Sequence, residues 1–336
     1  YVDLLALPHL RRANLAPAQK AEILRVLTPI HGRALLADGE IAKPELEGSD
    51  WWFHKRHGPN NNPVSKDTIF QFPPVMQYKA MPMYSPFQQA TLTGNGIQIE
   101  INPWNYEKFG VSLNLCGRIF GRSVYNGRIL WEAETPPRVV PTRPTSVLTE
   151  DELLIAREEQ GGIARFGLLT GEERDPIEIG DAETRIRWLA HEKGVLFTLI
   201  GKPGPMMIPF DWRQWRYVRK YPEEEAQDKY HGDAKRLEHF YGNELAAWSL
   251  KDEKVLWKHA APGMVDFRTV AVHQGRVFYY AEDKGLFCLN AADGKPVWEN
   301  RRSEWLDDFK RPPILGNFVD TSTLIVADGL IQLYLM

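Results

Sequence analysis

The residues with the most chemical promise lie near the start of the chain, in Trp51-Trp52-Phe53-His54-Lys55-Arg56-His57-Gly58-Pro59-Asn60-Asn61-Asn62. His54 and His57 stand three residues apart, a spacing that on a helix brings both imidazoles to one face. With the asparagines following, they are the chain's candidates for a metal site. Against this, Gly58-Pro59 predicts a turn rather than a helix, and no third ligand of the right type is adjacent. The alternative is an irregular lead-in loop whose His and Asn side chains bond to backbone.

Other chemistry is harder to place. Asp151, Asp266 and Asp320 fall near strand starts, where acids usually serve as turn or cap residues. None is nominated as catalytic, and no cofactor-binding residue is nominated either. Cys116 and Cys288 are the only cysteines and each sits in an apolar, strand-like stretch, as buried core thiols do. They make neither a disulfide framework nor a haem-attachment or paired zinc motif. The stretch from Asp211 to Lys220 interleaves Trp212, Trp215 and Tyr217 with Arg213, Arg216, Arg219 and Lys220, a pattern able to bind single strands. The acids Glu223 to Glu225 follow at once, and the formal net charge is -3, so nucleic acid is not expected as a partner. No apolar run approaches the roughly 18 residues that a spanning helix needs.

The elements that must position these residues show themselves as a repeat. A hydrophobic strand, a turn usually bearing Gly, and a Trp four residues on recur. One copy is Val124-Tyr125-Asn126-Gly127-Arg128-Ile129-Leu130-Trp131, and another is Leu289-Asn290-Ala291-Ala292-Asp293-Gly294-Lys295-Pro296-Val297-Trp298. The copy ending at Trp257 has Glu253 where Gly is expected, and the copy at Gly171 keeps the turn but lacks the Trp. Trp257 and Trp298 are 41 residues apart, Gly127 and Gly171 are 44. Four-stranded propeller blades need such spacings. Ahead of the copies, strand pairs flank Lys193-Gly194, Gln274-Gly275 and Asp328-Gly329, the turn chemistry of tight hairpins. The expectation is an all-β propeller of four-stranded antiparallel blades, with Trp131, Trp257 and Trp298 each buried between blades. About four and a half blades are present, the fifth beginning near Phe318.

The phrase Leu289 to Trp298 closely resembles the repeat of pyrroloquinoline-quinone-like, quinoprotein alcohol dehydrogenase-like propellers. That family closes with seven or eight blades, which implies that this chain is a fragment. It includes quinone-dependent dehydrogenases, for which the resemblance implies pyrroloquinoline quinone and calcium. It also includes non-enzymatic members, such as the outer-membrane assembly lipoprotein, for which it implies a protein or small-molecule ligand at a propeller face. Localisation cannot be read from a chain that starts at Tyr1 without a signal-peptide pattern; the resemblance implies the periplasm or cell envelope. Many quinone enzymes also carry a vicinal cysteine pair, and this sequence has none.

Residues 1–48 fall outside the repeat and form a separate helix–strand segment ahead of the propeller at 49–336. Pro17 to Leu27 has helical spacing and Arg33 to Leu36 reads as a strand. Helix, Leu27-Thr28-Pro29, Gly32 and strand are similar to the late portion of a class I S-adenosylmethionine-dependent methyltransferase. Together with the Trp51–Asn62 stretch they resemble the junction in large bacterial proteins that join such a domain to a quinoprotein-type propeller. The gap of 82 residues from Gly171 to Glu253 implies a partly helical insertion at about 202–242. Three functions follow as expectations: a non-catalytic interaction or ligand-binding scaffold, a quinone-dependent oxidoreductase, or an accessory to a methyltransferase that lies elsewhere.

Overall fold

A computed structural model of the chain describes residues 1–73, 91–102, 117–136, 145–157, 161–181, 183–202, 241–282, 284–301 and 323–334. Cys116, Asp320, Phe318 and nearly all of the expected insertion, 203–240, lie outside these residues.

The N-terminal segment folds as a small mixed unit. β1 (Leu4–Leu7) runs parallel to β2 (Arg33–Leu36), which turns back into β3 (Gly39–Ala42). Between β1 and β2 lies α1 (Pro17–Val26), with Pro17 where a helix start tolerates a missing N–H. The Gln19 side chain reaches back to accept the Ala16 N–H at 3.0 Å. Ile23 and Leu27 pack on Ala34 and Ile41, so one stripe of the helix covers the sheet. β1 and β3 add two strands to the helix and strand read from the sequence.

From residue 91 on, the described residues form β-sheets in chain order. β4 (Thr91–Gly94), β5 (Ile97–Asn102), β6 (Arg118–Ser123) and β7 (Ile129–Glu134) make one antiparallel four-stranded blade. β8 (Ser146–Leu148), β9 (Glu152–Ala156), β10 (Gly162–Gly167) and β11 (Glu173–Glu178) make the second. β12 (Arg185–Glu192), β13 (Val195–Gly201), β14 (Tyr241–Ser249) and the start of β15 (Lys254–His273) make the third. The same β15 continues through an irregular stretch to pair with β16 (Arg276–Ala281), followed by β17 (Gly285–Asn290) and β18 (Pro296–Asn300). The outermost strand of one blade thus becomes the innermost strand of the next without a break. Blades three and four are joined in a seven-stranded sheet rather than being separate. β19 (Thr323–Ala327) and β20 (Leu330–Tyr334) form a further hairpin.

The first strands of successive blades, β4, β8, β12, the later half of β15, and β19, are neighbours in that order. They form the inner wall, and among the described residues no sheet closes on itself. The core is divided accordingly, each cluster filling the space between two adjacent blades. Strand alternation does the sorting. On β9, Leu153 and Ile155 face the first blade while Leu154 and Ala156 face the third. On β13, Leu196 and Ile200 point back and Phe197 and Leu199 point forward. Burial on both faces explains why these strands read as near-continuous apolar runs.

Candidate functional site

Two features stand out, the wedges between blades and the inner rim. In the wedges, Trp131 and Trp257 are each 7% exposed. The Trp131 indole donates to Leu168 O and the Trp257 indole to Ala291 O, both at 2.8 Å. These acceptors hold the same place, three residues before Gly171 and Gly294. Each indole therefore lies on the Gly turn of the following blade. A Cβ added at Gly294 would stand 2.6 Å from ring atoms of Trp257. Gly127, Gly171 and Gly294 share one turn conformation, with φ of 69°, 68° and 68°. At Gly171 and Gly294 glycine is needed both for positive φ and for room under the ring.

This pairing accounts for the two imperfect copies. Asp175 occupies the Trp position of the second blade, and Glu253 occupies the Gly position of the third. With no indole arriving from the second blade, no bare turn is required, and Glu253 takes φ 51°. Its carboxylate meets Arg165 of the second blade at 2.6 Å. Arg165 also grips buried Glu152 at 2.9 Å, so an ion-pair chain links these two blades in place of the wedge. Trp298 corrects an expectation. It is 38% exposed, not buried, and its ring lies 6.2 Å from Phe278 of its own blade. Among the described residues the fifth blade contributes only β19 and β20, and no Gly turn among them stands over this ring.

The inner rim is built from equivalent positions. Four of the innermost hairpins close through two-residue loops, Asn95-Gly96, Lys193-Gly194, Gln274-Gly275 and Asp328-Gly329, with positive φ at both residues. The β8–β9 loop is tied instead by Thr149, whose hydroxyl accepts the Glu152 N–H at 2.9 Å. In four of the first strands the residue at the second pairing back from the loop turns its N–H to the axis, and in β8 the residue at the last pairing does so. These residues are Thr93, Leu148, His191, Val272 and Val326. All five N–H groups are taken by one segment of the chain. Thr93 donates to Trp52 O at 2.9 Å, Leu148 to Phe53 O at 2.8 Å, Val272 to Pro59 O at 2.8 Å and Val326 to Asn60 O at 3.0 Å. The His191 N–H donates to His54 Nε2 at 3.0 Å. The acceptors follow the blades in order, so residues 52–60 run around the rim from the first blade to the fifth.

Local chemistry shapes that path. His57 and Asn61 have positive φ, 67° and 58°, on either side of Gly58-Pro59. His57 N–H returns to His54 O at 3.1 Å, making a tight turn and not a helix. The two imidazoles therefore have different work. His54 is buried, and burial pushes its pKa down to about 3, so it stays neutral and accepts through Nε2. His57 Nε2 sits 2.8 Å from Asp50 Oδ2. Burial raises the Asp50 pKa, but hydrogen bonds from the Lys66 N–H, His57 and Ser65 outweigh it and hold the carboxyl below its usual value. Asn61 Nδ2 bridges Val270 O at 2.7 Å and Leu324 O at 2.9 Å, tying the fourth blade to the fifth. Among the described residues, no group of three or more His, Cys, Asp or Glu side chains converges as a metal site.

Between this segment and β8, β12 and β15 lies a pocket of about 460 Å³ counting its open mouth. His54, Lys55, Arg56, Ser146, Trp188 and Arg268 are among its walls. Behind it Asp266, with no exposure, receives Arg268 Nε at 2.9 Å and Nη2 at 2.5 Å. That carboxylate is committed to holding an arginine in place. Asp151 is an exposed loop residue whose N–H bonds to Thr149. Sequence reasoning missed the ring of rim amides, because main-chain groups leave no mark in residue types.

The family described as outer membrane protein assembly factor BamB matches residues 230–330. No curated protein sequence matches the chain. Among solved structures, it is similar to BamB from Moraxella catarrhalis, at 15% identity over 62% of this chain and 50% of that one, with a TM-score of 0.36. It is also similar to the computationally designed Ika8 protein, at 10% identity over 73% and 57% with a TM-score of 0.41. A europium-containing methanol dehydrogenase gives 9% identity over 62% and 40%, with a TM-score of 0.39. The chain spans about half the length of the structures it matches. The repeat, the order of the blades and the family match together support a propeller of the pyrroloquinoline-quinone-like type.

Proposed function

We propose that this propeller is a non-catalytic scaffold that holds a protein or small-molecule ligand on its surface. The observation that carries the reading is the occupied rim. A planar quinone on the axis needs polar groups from several blades, and here the equivalent N–H of all five first strands is bonded to residues 52–60. The groups at this end of the axis do not fit that cofactor, because seating it would strip off five hydrogen bonds whose donors lie at the inner wall. Each such donor left bare and dry costs about 1–3 kcal/mol. The match to an assembly-factor family favours a protein as ligand and the cell envelope as its setting.

Titration of the protein with pyrroloquinoline quinone and calcium, followed by tryptophan fluorescence, tests this. The expected result is no saturable quenching at micromolar quinone. Saturable quenching that chelation of calcium abolishes would replace the scaffold with a quinone-dependent oxidoreductase. A second reading rests on the parallel β1–β2 pair bridged by α1, a unit with its own core at 1–42. In that reading residues 1–48 belong to a methyltransferase-like domain and the blades from 49 onward are its accessory.

A further inference from the structure

The rim binds its segment mainly through main-chain groups. Four of the five acceptors are backbone carbonyls, those of Trp52, Phe53, Pro59 and Asn60, and only His54 contributes a side chain. Recognition of this kind, by the open edges of strands, is tolerant of sequence, with specificity left to a few anchoring side chains. Asn61, whose Nδ2 bridges Val270 O and Leu324 O, is one anchor, and three more are visible. The Phe53 ring packs against the first-to-second blade core. His54 enters the wall beside His191. Asn60 Nδ2 returns a bond to Val326 O at 2.9 Å, so that one residue both accepts from and donates to the same strand position. Beyond His54, every side chain from Trp51 to Asn62 keeps part of its surface in solvent. The segment is thus held at the mouth of the ring by hydrogen bonds together with partial burial of its side chains. Rim segments with partly exposed side chains are among those that open locally without global unfolding.

We infer that the rim formed by the Thr93, Leu148, His191, Val272 and Val326 amides is a peptide-binding site with Trp52–Asn61 as its resident ligand. An extended peptide bearing an aromatic–His pair and, six residues on, an Asn-Asn pair takes the resident's place. This rests on the scaffold reading and names its partner class. The resident competes as an intramolecular ligand, at an effective concentration on the order of millimolar for a short tether. The full chain therefore binds such a peptide poorly until the resident is loosened.

The test uses the full chain carrying His54→Ala and Asn61→Ala, checked for folding by circular dichroism and a cooperative melt. The probe is a fluorescein-labelled synthetic peptide of residues 50–62, read by anisotropy. The folded double variant should bind it saturably, at least about tenfold more tightly than the parent chain, as expected when an intramolecular competitor is weakened. A peptide with both Asn60→Ala and Asn61→Ala should bind clearly less. A folded variant that binds no peptide, or binds the altered peptide equally, overturns the inference. Native-state hydrogen exchange on the parent chain decides independently should the variant fail to fold. The five rim amides should share one protection factor, lower than that of core amides such as Tyr279. Protection equal to the core's would mean that the resident never leaves alone and would also overturn it. Quinone binding in the earlier titration would remove the scaffold reading while leaving these peptide results to stand or fall separately.

Discussion

Replacing Gly294 with Ala should cost far more than the same change at Gly275, although both glycines hold positive φ, 68° and 73°. Placing an L-residue in that region costs about 1–2 kcal/mol at either site. At Gly275 nothing more is added, since a Cβ there meets no atom within 4 Å. At Gly294 the Cβ would lie 2.6 Å from Cδ2 and Cε3 of Trp257 and 3.0 Å from its Cγ. The indole cannot easily yield: it is 7% exposed, bonded to Ala291 O, and packed 6.2 Å from the Phe197 ring. Overpacking of a filled core costs about 1–3 kcal/mol. Urea unfolding followed by tryptophan fluorescence should therefore give about 2–5 kcal/mol for Gly294→Ala against about 1–2 kcal/mol for Gly275→Ala. In a Trp257→Ala background, itself about 3–5 kcal/mol less stable, the Gly294→Ala penalty should fall to the Gly275 level. Equal costs at the two glycines, or no coupling between Gly294 and Trp257, would refute the wedge.

Trp298→Ala should cost no more than about 2 kcal/mol, below the value for Trp257→Ala, because a partly exposed ring leaves a smaller cavity; paired thermal melts compare them. The pair Arg165 and Glu253, with the glutamate largely in solvent, should couple by about 0.5–1 kcal/mol in a double-mutant cycle and lose most of that in molar salt. For His54 the folded pKa lies near 3 against 6.5 for the free side chain. Its neutral form is the folded one, so the stability it permits is complete above pH 6.5 and is lost as the pH falls from there toward 3. The loss is about 1.4 kcal/mol per pH unit, the unfolded chain holding one proton more. His54→Gln should flatten the stability profile by about that slope between pH 6 and 4, and an unchanged slope would show that the ring is not buried in neutral form.

The hairpins, the Gly turns and the wedge tryptophans were legible in the sequence because each is a local event. Asp328-Gly329 between apolar strands specifies its own loop, and Gly294 followed by Trp298 specifies a turn and the strand after it. The helix at Pro17 and the strand at Arg33 were legible for the same reason. What escaped was the relation between distant copies. Asp175 and Glu253 each looked like decay of the repeat, and only the packing of one blade on the next makes them complementary. Trp298 has the same local sequence setting as Trp257, yet what covers an indole is supplied by the following blade. The pair His54 and His57 was visible as two imidazoles three residues apart. The tertiary structure gives one to the His191 N–H and the other to Asp50, since a turn rather than a helix lies between them. The rim itself was beyond the reach of any motif. Its donors are five amides brought together from residues 93 to 326, its acceptors are mostly carbonyls, and both are groups that nearly every residue carries. Only the arrangement of blades around a common axis selects which of them meet.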